Sequence, residues 1–130
     1  MIRDSLQILL IEDDATLAEI TSFRLELLGY EVASCSDPHE ALDWLDKSLP
    51  DVILLDLALG GNEGFDLLNR LSNAPRTSDV PVMVFSTSAD LSHVQRAYAA
   101  GAEEYLVTPY DPVNLEQKIE KLRILRKEKR

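Results

Sequence analysis

Five short apolar segments alternate with five segments of helical periodicity along this chain, and this alternation limits the folds that it can adopt. The clearest apolar segment is residues 52–55, four consecutive aliphatic residues that end at Asp56. Such a run is typical of a strand that is buried on both faces. Strands separated by helices and short loops favour a parallel sheet with helices on both sides. The sequence therefore predicts a doubly wound α/β fold with five parallel strands and five helices.

Aspartate, proline and glycine residues mark where the predicted helices begin and end. Asp37 and Pro38 give the clearest start, with an acidic N-cap, a proline at the first helical position and Glu40 where a capping box requires it. Gly29 and Gly101 are expected to follow the first and fourth helices. Apolar residues with helical spacing predict the inward faces: Leu17, Ile20, Phe23 and Leu27; Ala41, Leu45 and Leu49; Phe65, Leu68 and Leu71; Val94, Ala97 and Tyr98; Leu115, Ile119 and Leu122.

Length and charge limit the domain count and the class of partner. The chain has 130 residues, which suits one domain with a single core. Its net charge is −10, although residues 121–130 carry six Lys or Arg residues against one acid. An acidic body repels phosphate backbones, so direct nucleic-acid binding is not expected. We assign residues 1–122 to the domain and residues 123–130 to a basic C-terminal helix end or linker.

The sequence favours a cytoplasmic protein that does not enter a membrane. No apolar run approaches the roughly 20 residues of a membrane span, and residues 1–5 lack the apolar stretch of a signal peptide. The single cysteine, Cys35, cannot form an internal disulfide and is expected to be buried in a strand. His39 and His93 are not spaced as metal ligands and are expected at helix surfaces.

Acidic and hydroxyl side chains follow four of the predicted strands. In a parallel sheet the carboxyl ends of the strands lie along one edge, where ligands bind. Several carboxylates gathered there would repel one another unless a cation neutralised them, and oxygen ligands of this kind suit Mg²⁺. The residues concerned are Glu12, Asp13 and Asp14 after the first strand, Asp56 after the third, Ser86 after the fourth and Thr108 after the fifth.

Four motifs at these strand ends together resemble the receiver domain of two-component response regulators. They are residues 11–14 (Ile-Glu-Asp-Asp), Asp56 with Gly64 eight residues later, residues 85–87 (Phe-Ser-Thr) and residues 105–109 (Tyr-Leu-Val-Thr-Pro). No single motif is specific, but their order and spacing extend the resemblance over residues 6–122. The resemblance implies a flavodoxin-like sheet with the strand order 2-1-3-4-5.

The resemblance implies a phosphorylation site at Asp56. This residue would accept a phosphoryl group from a sensor histidine kinase or a phosphotransfer protein. Glu12 and Asp13 would hold Mg²⁺ together with Asp56 and the backbone carbonyl of Ala58. Asp13 would be the direct ligand, and Glu12 would act directly or through water. The chain would be a self-phosphorylating signalling domain and not an enzyme.

The resemblance also implies a conformational switch. Ser86 would hydrogen-bond the phosphoryl group, and Tyr105 would turn inward as Ser86 moves. A small shift at the site would then change the surface formed by the fourth helix, the fifth strand and the fifth helix. The same surface would be the interface of a homodimer.

Two residues depart from the family pattern. The family has a lysine before the proline that ends the fifth strand, and this chain has Thr108 before Pro109. Threonine supplies no ammonium group to pair with Asp56 and the incoming phosphoryl group. Gly60 stands where many members have proline, which should loosen the loop after Asp56. A cis bond before Pro109 would match the family.

Other functions are open at this point. A receiver-like interaction module could keep the fold and the metal site yet signal by binding alone, because Thr108 brings no charge. Residues 11–17 are also similar to the Asp-x-Asp-x-Thr strand end of aspartyl phosphatases of the haloacid dehalogenase type, although Glu12 stands where that pattern needs the nucleophile. A flavodoxin-like cofactor carrier would need a Ser/Thr/Gly-rich phosphate loop after the first strand, where this chain has three carboxylates.

Overall fold

The computed structural model describes residues 5–59 and 62–129, and in residues 126–129 it describes the backbone alone. The predicted loop at Gly60 and Gly61, the substitution at Gly60, the first four residues and the side chains at the basic end lie outside this description. In the described part of the chain, no helix is both long and apolar enough to cross a membrane. The elements are β1 Gln7–Ile11, α1 Ala15–Leu27, β2 Glu31–Cys35, α2 Pro38–Lys47, β3 Val52–Asp56, α3 Glu63–Asn73, β4 Val82–Ser86, α4 Leu91–Ala99, β5 Glu104–Val107 and α5 Pro112–Lys129.

The five strands form one parallel sheet with the order β2-β1-β3-β4-β5. This order confirms the predicted flavodoxin-like topology. Ile11 at the end of β1 lies opposite Leu55 of β3, and Asp56 lies opposite Phe85 of β4. The next residue of β4 is Ser86. The carboxyl ends of the three central strands therefore meet at one edge of the sheet.

Two apolar clusters, one on each face of the sheet, form the core. Ile53 and Leu55 of β3 belong to one cluster, whereas Val52 and Leu54 belong to the other. Residues of α2, α3 and α4 close the first cluster, and residues of α1 and α5 close the second. The predicted burial of this strand on both faces is confirmed, because all four aliphatic residues are fully buried. Asp56 is therefore held at the end of a strand whose other four residues are fully buried.

Asp14 caps the start of α1 and the predicted glycines follow α1 and α4, whereas the side chain of Asp90, expected to cap α4, makes no capping hydrogen bond. The Asp14 Oδ1 atom accepts hydrogen bonds from the backbone N–H groups of Thr16 and Leu17, both at 3.0 Å. Gly29 and Gly101 follow the two helices with φ angles of +93° and +118°. These angles lie in the left-handed region, where a side chain is disfavoured. Because its side chain caps α1, Asp14 is not oriented like the two acidic site residues that it directly follows.

The prediction of which side of α1 faces the core is wrong. The helix buries Ala18, Thr21 and Leu25. Both sets of residues have helical spacing, and the smaller set lets the helix pack closely on the sheet, so periodicity alone did not identify the buried side. We call the outward set the α1 apolar face. It consists of four residues that are 44% to 70% exposed: Leu17, Ile20, Phe23 and Leu27.

Three further side chains differ from their predicted positions. Leu49 is partly exposed because α2 ends at Lys47, before the residue reaches the core. Tyr98 is 44% exposed on α4. His93, expected at a helix surface, is half-buried between aromatic rings. The remaining predicted inward residues of α2, α3 and α5 are buried, as is Cys35: Ala41, Leu45, Phe65, Leu68, Leu71, Leu115, Ile119 and Leu122.

Candidate functional site

Three carboxylates meet at the carboxyl end of the sheet. Glu12 and Asp13 directly follow β1, and Asp56 ends β3. One oxygen atom from each residue lies within 4.8 Å of the others. Glu12 is buried, Asp56 is half-buried and Asp13 is exposed. Sequence positions far apart along the chain are thus brought close enough to share one ion.

Backbone N–H groups orient two of these carboxylates. The N–H of Ala58 donates to Asp56 Oδ1 at 2.9 Å. The N–H of Asp14 donates to Glu12 Oε2 at 3.2 Å. The Asp14 side chain itself caps α1, so it is engaged outside the cluster. The loops after β1 and β3 therefore fix the carboxylates through their backbones.

Glu12 shows the electrostatic cost of this arrangement. Its pKa is raised from 4.5 to about 8, chiefly by burial and further by a hydrogen bond and charge repulsion with Asp56. The N–H of Asp14 acts in the opposite direction. Among the described residues, no ion pair joins a Lys, Arg or His to the cluster. Three close carboxylates without a protein cation form a donor set that fits Mg²⁺.

The loop after β4 links Ser86 to Tyr105. The backbone N–H of Ser88 donates to Ser86 Oγ at 3.1 Å, and the Tyr105 hydroxyl donates to the Ser88 carbonyl at 2.8 Å. Both Ser86 and Tyr105 are buried, so the tyrosine ring points inward. Ser88 is therefore the physical connection between the two predicted switch residues. Sequence reasoning missed it, because nothing but its position in the loop distinguishes Ser88.

Thr108 follows β5 at the same edge of the sheet. Its backbone N–H donates to the carbonyl of Ser86 at 2.8 Å. The bond from Thr108 to Pro109 is cis, as the family pattern implies. The residue is half-buried and brings a hydroxyl group but no charge to this edge.

Gly64 lies where α3 begins against the end of β3. A Cβ atom at this position would lie 2.7 Å from the backbone oxygen of Leu57. Carbon atoms do not approach an oxygen so closely without a shift of the backbone. The glycine eight residues after Asp56, noted in the sequence only as part of a motif, therefore permits close packing beneath the site.

The sequence matches the model of the response regulator receiver domain over residues 8–120. The phosphate regulon transcriptional regulatory protein PhoB of Escherichia coli K12 is 31% identical over 113 residues, which cover 87% of this chain and 49% of PhoB. The chain thus spans about half the length of this curated relative.

Two solved structures are similar along most of their length. The signal receiver domain of a DNA-binding response regulator from Colwellia psychrerythraea 34H has a TM-score of 0.84 at 32% identity, covering 91% of this chain and 98% of that one. The chemotaxis response regulator CheY4 of Vibrio cholerae has a TM-score of 0.84 at 25% identity, covering 92% and 99%. By its family match, its strand order and the motifs at its strand ends, this chain belongs to the receiver domains of two-component response regulators.

Proposed function

We propose that this domain accepts a phosphoryl group on Asp56 from a histidine kinase or phosphotransfer protein and changes a protein-binding surface in response. The convergence of Glu12, Asp13 and Asp56 within 4.8 Å is the observation that carries the proposal. A nucleophilic carboxylate beside two further acids can meet a phosphoryl group only if a cation offsets their charge.

Asp56 acts as the nucleophile in this proposal. One of its carboxylate oxygens attacks the phosphorus of a phosphohistidine, the O–P bond forms as the P–N bond breaks, and the leaving imidazole takes up a proton. The N–H of Ala58 orients the carboxylate before the reaction. Glu12 and Asp13 would hold Mg²⁺ together with Asp56 and the Ala58 carbonyl. When bound, Mg²⁺ offsets the negative charge of the carboxylates and the phosphoryl group.

Ser86 and Tyr105 carry the response away from the site. The Ser86 Oγ atom accepts a hydrogen bond from the N–H of Ser88, and its own proton can be donated to a phosphoryl group on Asp56. The carbonyl of Ser88 accepts a hydrogen bond from the Tyr105 hydroxyl, so a shift of this loop would reach the tyrosine, whose ring already points inward. Tyr105 lies on β5, next to α4. Packed elements with two alternative arrangements convert such a small shift into a changed surface.

The α1 apolar face is a candidate docking site for the phosphoryl donor. The face begins at Leu17, four residues after Asp13, and extends along the outside of α1 through Ile20 and Phe23 to Leu27. Contiguous exposed apolar residues mark protein contact sites, and their helical spacing suits a helix of the partner. We therefore propose that helices of the donor pack on this face and present the phosphohistidine to Asp56.

A binding-only module is the second candidate function. Thr108 brings no charge to the edge where the site lies, so position 108 supplies no cation for a phosphoryl group. In this second function the same fold would bind its partner without phosphoryl transfer. We do not propose a phosphatase, because the relatives are signalling proteins and the Asp14 side chain is engaged in capping α1.

Beryllofluoride, a phosphoryl mimic, tests the two functions when it is added with Mg²⁺. The measurement is the NMR shift of the Ser86 and Tyr105 amides in the wild type, Asp56→Asn and Thr108→Lys. We expect the wild type to respond, Asp56→Asn to lose the response and Thr108→Lys to respond at lower concentration. A response in Thr108→Lys alone would favour the binding-only module. A full response in Asp56→Asn would refute the proposed phosphoacceptor.

A further inference from the structure

We propose that the groove between α2 and α3 binds one helix of a protein partner. The partner helix places a basic side chain at the acidic end of the groove, apolar side chains on its floor and an acidic side chain beside Arg70. This inference goes beyond the function proposed above, because it assigns a second binding surface that does not require phosphorylation of Asp56.

The groove lies between the N-terminal half of α2 and the first two turns of α3, and its volume is about 450 Å³. Clefts of this size between helices are common binding sites, with room for several side chains. Leu42 of α2 and Leu67 of α3 form the floor. Both belong to the margin of the core cluster on that face of the sheet, where Leu67 is buried and Leu42 is half-buried. The floor is therefore an apolar surface that the domain itself leaves partly uncovered.

The charged side chains of the groove are separated by sign. Asp37, at the N-cap of α2, and Glu63 and Asp66, in the first turn of α3, line one end. Arg70 lines the groove further along α3, seven positions after Glu63, which corresponds to about 10 Å along the helix axis. A partner with a cation at one end and an anion at the other end of such a span is matched at both ends of the groove.

The charges on α3 are available to a partner. Asp66 and Arg70 are one turn apart and have the spacing of a helical ion pair, but they do not pair with each other. In the described part of the chain, the ion pairs include neither of them, nor Glu63. All three side chains are exposed. On α2, Asp37 uses its Oδ1 atom to accept the N–H of Glu40 at 2.8 Å. The α3 wall of the groove thus presents both signs of charge beside an apolar floor.

A helix has side-chain spacing that fits this pattern. Positions i, i+3, i+4 and i+7 of a helix lie on one face, and the first and last are again about 10 Å apart. A helix with a basic residue at i, leucines at i+3 and i+4 and an acidic residue at i+7 therefore matches the spacing of Glu63, Leu67 and Arg70. Because α1 packs on the opposite face of the sheet, such a partner leaves the α1 apolar face free.

Three alanine-based helical peptides with blocked ends test the proposal by NMR titration of the whole chain. The matched peptide carries Arg, Leu, Leu and Glu at the four positions, the acidic peptide has Glu in place of Arg, and the polar peptide has Ser in place of both Leu residues. We expect the matched peptide to shift the amides of Leu42 and Leu67 and to bind about fivefold or more tightly than either control. Equal binding of all three peptides, no binding of any, or shifts confined to the α1 apolar face would overturn the proposal.

Charge-neutralising variants locate the binding in the groove. Glu63→Gln combined with Asp66→Asn should bind the matched peptide about fivefold more weakly. Glu19→Gln combined with Asp46→Asn is the matched control, because it removes two charges from exposed positions outside the groove, and it should bind as the wild type does. Equal weakening in both double variants would show that net charge alone acts and would refute the site. Asp56→Asn should bind the peptide normally, so failure of the proposed phosphoacceptor and failure of this groove are separate results.

Discussion

The raised pKa of Glu12 should make the stability of the metal-free protein depend on pH, and Glu12→Gln should remove most of this dependence. The folded protein holds the Glu12 proton more tightly than the unfolded chain does, since the pKa is about 8 in the fold and 4.5 ordinarily. This stabilisation is fully present below pH 4.5, where both states are protonated. It is lost as the pH rises to about 8, because the buried carboxylate must then ionise beside Asp56.

The size of this effect follows from the two pKa values. Each pH unit between them corresponds to about 1.4 kcal/mol, so Glu12 contributes at most about 5 kcal/mol between pH 4.5 and 8. Hydrogen bonds with Asp56 and Asp13 contribute to the raised value, so the proton belongs partly to the cluster. We therefore expect Glu12→Gln to lose less unfolding free energy across this pH range than the wild type does, by about 2–3 kcal/mol. A domain with a total stability of about 5–15 kcal/mol makes this difference measurable.

Urea unfolding in EDTA at several pH values from 5 to 8 measures the effect. The wild type should lose stability across this range, and Glu12→Gln should lose much less. Glu19→Gln is the matched control, because Glu19 is exposed on α1, and it should follow the wild type. Adding Mg²⁺ at pH 8 should restore the stability of the wild type, because the ion binds the ionised carboxylates. Parallel pH profiles for the wild type and Glu12→Gln would refute this reasoning.

Three further predictions concern docking, packing and the metal site. Phe23→Ser should slow phosphotransfer from the kinase about tenfold without changing the rate of labelling by a small phosphodonor. Ile124→Ser, at another exposed apolar residue, should change neither rate. Phosphotransfer from the kinase to Phe23→Ser at the wild-type rate would refute docking on α1. In urea unfolding, Gly64→Ala should cost about 1–3 kcal/mol, because its methyl group meets a backbone oxygen. Gly29→Ala should lower the free energy of unfolding by about 1 kcal/mol, from its left-handed backbone alone. A larger loss for Gly29→Ala than for Gly64→Ala would contradict the packing argument. Thr108→Lys should weaken Mg²⁺ binding in calorimetry, because an ammonium competes with the ion for the carboxylates; unchanged affinity would show that position 108 does not reach the site.

The topology and the convergence of the acidic residues could be predicted from the sequence. Residues 52–55 are too apolar to lie anywhere but inside the sheet, and aspartate caps with following glycines set the helix ends. Once the strands are parallel, their carboxyl ends must share one edge. Asp56 and the acids after β1 then had to meet, whatever the details of packing.

The orientation of individual side chains could not be predicted in the same way. The residues on the two sides of α1 have the same helical spacing, so periodicity could not show that Ile20 and Phe23 lie outside. The burial of His93 depends on Phe65 and Tyr105, which belong to distant segments. Ser88 acquires its role from two hydrogen bonds across the fold. Each of these features depends on packing between elements, which a local sequence pattern does not encode.

Localisation of a phosphoryl group by mass spectrometry tests the central claim most directly. The protein is incubated with Mg²⁺ and a small phosphodonor, digested, and compared with Asp56→Asn and with a sample that contains EDTA. We predict one phosphoryl group on the peptide that contains Asp56, and none in either control. A phosphoryl group on another residue, or labelling that persists in Asp56→Asn, would contradict the assignment of Asp56 as the phosphoacceptor.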